Sequence, residues 1–169
     1  MSGTNGHAPM SRLDVVRHNT EHLLDGALKV LDKLIMLIPD DKLEFSPTPE
    51  VMTAKQLSYH IYQTLYILTR STSLGSFKLE HLEGIPFDPN QVKTGADIVA
   101  YGTRVKDYVR GILPDFREED LERTLHEEWA MTGFRAMNIA FEEALHHRGQ
   151  LVTYLRILGI KTPYLYDYS

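Results

Sequence analysis

Four long segments in which an apolar residue returns every three to four positions constrain this chain more than any other feature. The first runs from Ser11 to Ile38 and sets Leu13, Val16, Leu23, Leu24, Ala27, Leu28, Leu31, Leu34, Ile35 and Ile38 on one stripe. Ser11, with Asp14 three residues on, is a capping-box start, and Pro39 closes the segment. A second segment opens at Thr53, with Gln56 three residues later, and reaches Thr72. A third opens at Thr94 with Asp97 and must end near Leu113, because Pro114 follows. The fourth runs from Thr132 to Leu158, with Gly159 in the position after the helix that favours a left-handed backbone. The stretch PDDKLEFSPTPE and residues 73–93 carry prolines and no period, so both read as connections. Segment 115–131 is charged and is left unassigned. No strand-like alternation, repeat or second domain competes with this reading.

Helices of roughly 20 to 28 residues are about 30–42 Å long at 1.5 Å per residue. Rods of matched length bury their stripes best against one another, so the expected fold is all-α, a four-helix bundle. One bundle domain over 11–169 is expected to follow a flexible polar lead at 1–10. A hydrophobic fraction of 43% in 169 residues is enough for one sizeable core. With no cysteine, the chain has no disulfide framework, no thiolate zinc site and no cysteine nucleophile. A net charge of −5 does not suggest a nucleic-acid surface. No apolar run approaches the ~20 residues that span a bilayer. The lead MSGTNGHAPM lacks the basic-then-apolar order of a signal peptide. A cytoplasmic protein with no membrane or nucleic-acid partner is expected.

Within the fourth segment, FEEALHHRG places Glu143 and His147 four residues apart, on one helical face. Two lone-pair donors one turn apart on a rigid rod are half of a metal site. A third ligand must come from another helix, and His60 in LSYHIYQTLYIL is the candidate. Its neighbours Leu57, Ile61 and Leu65 define an inward face, so its imidazole is expected to point into the bundle. The same pattern also fits a hydrogen-bonded core histidine and an ordinary surface Glu–His contact. Gly149, inside a helix, suggests close helix approach. His146 is rotated about 100° from His147 and reads as an interface or outer-sphere residue. His18 and His22 form a weaker i, i+4 pair beside the first stripe. His126 sits near Trp129 in LHEEW and is placed to line a pocket. His81 reads as exposed, and His7 lies in the lead.

At these residues the chain resembles the DinB/YfiT-like superfamily of metalloenzymes. The matching pieces are PDDKLEFSPTPE, the LSYHIYQ helix and above all EALHHRGQLVTYLRILGIKTP. The resemblance implies an up–down–down–up four-helix bundle, often a homodimer. It implies zinc or nickel held by three histidines with open positions. His60 matches the helix-two ligand and His147 the last histidine of the pair. Glu143 stands where the first histidine of that pair is usual, which leaves two outcomes. A carboxylate is a competent ligand, and two histidines with one carboxylate hold Zn²⁺ in hydrolases and Fe²⁺ in oxygenases. Otherwise the site has decayed, and Glu143 pairs with His60 or Arg148.

The function implied is a metal-dependent S-transferase or isomerase that uses a low-molecular-weight thiol on an unidentified small substrate. Thr64, Tyr62 and Tyr66 are candidates to orient it. The alternative is a non-catalytic, stress-associated dimeric bundle with a structural or lost metal. A small-ligand sensor with apolar pocket walls is a third reading. The first two differ in one observable: a catalytic site keeps an open coordination position beside a cavity, whereas a structural site is filled or sealed.

Overall fold

Residues 9–167 are described by the computed structural model of the chain. Helix α1 (Arg12–His22) starts at the Ser11 cap, with Ser11 and Asp14 exchanging side-chain and backbone hydrogen bonds. The rod does not continue as one α-helix to Ile38. A five-residue π segment, Leu23–Ala27, interrupts it before α2 (Leu28–Ile35). The wider turn admits an extra residue and rotates the stripe that follows. Leu23, Leu24, Gly26, Ala27 and Leu28 are all buried across this turn.

Helix α3 (Ala54–Leu74) begins at the Thr53–Gln56 box, and α4 (Gly95–Ile112) at the Thr94–Asp97 box. Gly75 ends α3 in the left-handed region at φ 75°. Past α4, a short helix α5 (Glu118–Glu122) leads into a small antiparallel hairpin, β1 (Thr124–His126) with β2 (Met131–Thr132). This hairpin corrects the expectation of no strand. Strands of three and two residues are too short to show a period. Helix α6 (Gly133–Ile157) follows, capped by Thr132, and Gly159 takes the left-handed φ of 76° expected of it.

The pairings fix the directions of the rods. Thr72 lies against Gly133, and Tyr154 donates to the Met52 carbonyl, so α3 and α6 are antiparallel. Tyr62 meets Tyr101 and Tyr66 meets Tyr108, so α3 and α4 are parallel. Asp32 meets Lys106 and Asp25 meets Arg110, so the first rod opposes α4. These directions correspond to up–down–down–up order, and the long 75–94 connection returns the chain for the parallel pair. Gly102 packs flat on the Tyr62 ring, where an added Cβ would stand 2.4 Å from its carbon. Gly149, by contrast, faces open space, and no helix approaches it. Its expected packing role is not observed.

One buried polar assembly ties three rods together. The Tyr62 hydroxyl donates to Asp32 Oδ1, and Lys106 Nζ donates to Asp32 Oδ2. Burial first, and Asp32 second, push the Tyr62 pKa well above its ordinary value, so the phenol keeps its proton. Among the described residues, no helix is long and apolar enough to cross a membrane.

Candidate metal centre

Helix α3 packs more extensively against α6 than against any other element. Ala136, Ala140 and Ala144 recur every fourth residue on α6 and are all buried. Small side chains at a contact let two helix axes approach closely. Next to this strip, His60 on α3 comes against Glu143 and His147 on α6. The one metal-competent cluster among the described residues is this trio, with one donor atom from each within 4.8 Å of the others. His60 is thus brought beside a Glu143–His147 pair more than 80 positions further along the chain.

The spacing suits an ion. Glu143 Oε2 lies 3.7 Å from His60 Nε2 and 2.9 Å from His147 Nε2. Tetrahedral zinc, with bonds of about 2.0–2.1 Å, separates its donor atoms by about 3.3 Å. The two imidazole rings stand edge to face, with centroids 4.9 Å apart and an interplanar angle of 83°.

The outer contacts orient the ligands. His147 Nδ1 donates to Gln150 Oε1 at 2.7 Å, and Gln150 Nε2 donates to His146 Nε2 at 2.9 Å. With Nδ1–H given to Gln150, the Nε2 lone pair of His147 faces the Glu143 carboxylate. His147 Nε2 lies 2.9 Å from Glu143 Oε2, a spacing that a proton or a metal ion between them satisfies. Ligating histidines commonly give their second N–H to an outer acceptor in this way. His146 is exposed; its ring meets that of His147 edge to face at 4.9 Å, and its Nε2 accepts from Gln150. Burial, and then the neighbouring His147, lower the His60 pKa below the ordinary imidazole value, while Glu143 pulls it up.

His60 does not point into the core. Its side chain and that of Glu143 are each 37% exposed, and that of His147 is 10% exposed. The cluster sits at the lip of the α3–α6 groove, between two cavities. One, of about 450 Å³, is lined by His60, Thr64 and Glu143 at one end. The other, of about 440 Å³, is lined by His147, Gln150 and Tyr154. Neither a fourth acidic or histidine ligand nor an apolar seal closes the trio among the described residues.

The remaining expectations resolve unevenly. Thr64 Oγ1 is 3.4 Å from His60 Nε2 and lines the first cavity. Tyr62 and Tyr66 lie in the core, bonded to Asp32 and Arg70, and cannot orient a substrate here. Arg148 does not pair with Glu143, because its guanidinium reaches the Leu165 carbonyl and the Tyr166 ring. His18 and His22 are exposed and belong to no metal cluster among the described residues. His81 is buried against Ser71 Oγ at 3.1 Å, contrary to its expected exposure, because the 79–84 turn folds back over α3. Burial first, and Arg70 second, lower its pKa. His126 stacks on Trp129 at 4.0 Å, and Trp129 rather than His126 lines the cavity. His7 lies outside the described residues. Gln150 was missed, although its position three residues after His147 puts both on one face.

A family model described as the DinB superfamily matches residues 12–151. The chain belongs to that superfamily. It is 25% identical over 134 residues to a curated Bacillus subtilis (strain 168) protein, YjoA, which carries the name "uncharacterized". That match covers 77% of this chain and 82% of YjoA. The crystal structure of the DinB-like YjoA superposes with a TM-score of 0.70 at 21% identity, covering 88% of this chain and 97% of that one. This likeness shows the fold.

Proposed function

We propose that the chain is a metal-dependent enzyme whose divalent ion is held by His60, Glu143 and His147. The observation that carries this reading is three donor atoms within 4.8 Å of one another, with His60 and Glu143 lining one cavity and His147 the other. When bound, zinc, nickel or iron at such a site supplies Lewis acidity that lowers the pKa of a coordinated water or thiol. The chain's own residues do the rest. Gln150 fixes the His147 ring, and the depressed His60 pKa keeps that nitrogen's lone pair available near neutral pH. Glu143 supplies a negative charge that offsets part of the ion's. The reaction class proposed is transfer to, or isomerisation with, a low-molecular-weight thiol, in a cytoplasmic homodimer.

The test is thiol consumption. Zinc- and nickel-loaded protein is mixed with a low-molecular-weight thiol and an electrophilic acceptor, beside the His147→Ala variant. Thiol loss is expected in the parent alone. Equal rates in both would remove the thiol-transfer reading.

One observation favours a second reading. The 2.9 Å approach of Glu143 to His147 is also the geometry of a closed ion pair with a proton between the two groups. In that case the bundle is a non-catalytic, stress-associated dimer with a lost site, and it takes up no Zn²⁺ or Ni²⁺.

A further inference from the structure

The cavity beside His60 is strongly one-sided. Its polar end is formed by His60, Gln63, Thr64 and Glu143. The remaining wall is apolar: Ile67 and Leu68 from α3, Phe77 from the following connection, Leu82 from the 79–84 turn, Met131 from β2 and Ile139 from α6. At the mouth stand Leu79 and Trp129, 73% and 58% exposed. Two large apolar side chains at the rim of an apolar hollow are unfavourable to leave in water. Trp129 is also held in place: its ring stacks on His126 at 4.0 Å and 12°, and tilts against Phe77 at 5.5 Å. The aromatic wall is therefore preformed rather than assembled on binding. A hollow of about 450 Å³ lies within the usual range for a small organic ligand.

We infer that this cavity binds a small molecule with an aromatic or branched apolar body, its reactive head set against the His60–Glu143 end. The head's contact with an ion rests on the metal-dependent reading above, whereas the apolar body does not. The shape argues against a highly polar substrate, because most of the wall offers no hydrogen-bond partner and would strand its polar groups. It also orders the ligand: only one end of the hollow can receive a polar group, so the reacting atom is delivered beside the cluster.

Trp129 is the chain's only tryptophan, so tryptophan emission reports on this cavity alone. The experiment titrates metal-free full-length protein with 4-phenylbutan-1-ol and with 1-butanol, following Trp129 emission and heat. A saturable shift with the phenyl compound, at least about tenfold tighter than with butanol, is expected from burial of the ring. The Leu79→Glu variant changes an exposed rim residue and leaves the fold intact. It should weaken phenylbutanol binding about tenfold, while Leu79→Phe restores it. No shift, equal affinity for the two alcohols, or indifference to Leu79→Glu would overturn the inference. So would a Trp129 signal that changes with protein concentration and excludes the probe, which would mean a second copy covers the hollow. Adding Zn²⁺ and replacing the alcohol by 4-phenylbutanoate separates the two readings. Tightening by Zn²⁺ supports both. Phenylbutanol binding with no zinc effect supports the apolar pocket and counts against the ion.

Discussion

Helix α3 carries two polar assemblies on opposite sides, reached from residues only two apart. Tyr62 faces inward to Asp32 and Lys106, where each charge meets an opposite charge or a hydroxyl. His60 faces the groove, where two imidazole nitrogens and a carboxylate converge on one point. In the first assembly the charges are matched, and the Lys106 and Asp32 side chains are 10% and 22% exposed. The second has acceptors in excess and stays partly open. A matched buried network holds helices in register, whereas an unmatched open one is built to receive something positive.

The comparison breaks most visibly if each side is cut separately. Lys106→Ala leaves Asp32 without its cation and should cost about 3 kcal/mol. For a domain of this size that lowers Tm by roughly 6–12 °C, with zinc affinity unchanged. A calorimetric scan showing no loss would mean the triad is not a structural tie. His147→Ala should do the reverse. Zinc affinity should fall by more than about 100-fold, beyond the roughly 10–100-fold that losing an outer partner costs, while helicity of the metal-free protein is retained. Gln150→Ala should fall within that 10–100-fold range. An unaltered zinc titration would show that the His147 ring needs no such support. Glu143→His should tighten Zn²⁺ and Ni²⁺, and weaker binding would mean the pocket is shaped for a carboxylate.

The smallest effect concerns pH. His81 and His60 both have folded-state pKa values below the unfolded value, with burial as the first cause. The unfolded chain then takes up protons first on acidification, so stability is whole above about pH 6.5 and declines as pH falls below it. Melting of the metal-free protein between pH 7.5 and 5 should show that decline, and His81→Gln should flatten it. An unchanged slope in the variant would detach His81 from the effect.

The legible parts of this molecule were the local ones. Ser11–Asp14, Thr53–Gln56 and Thr94–Asp97 all form the boxes their spacing announces, because a cap is settled within four residues. Glu143 and His147 were legible from helix geometry, and His60 from its place in an apolar helix together with the family resemblance. Features that depend on distant packing were hidden. The π segment at Leu23–Ala27 was hidden because Leu23, Leu24, Ala27 and Leu28 fit an ordinary α-helical stripe, so no period marks the wider turn. His81 looked exposed because nothing local says that its turn folds back over Ser71. The 124–132 hairpin, and with it Trp129 on the cavity rim, is too short for alternation to reveal.

The most direct measurement is elemental analysis of protein purified without chelator or affinity-tag metal, with His60→Ala alongside. About one equivalent of zinc, nickel or iron in the parent, lost in the variant, is the predicted result. No metal in either protein, and no uptake when Zn²⁺ or Ni²⁺ is added, would contradict it and leave Glu143 and His147 as a closed pair.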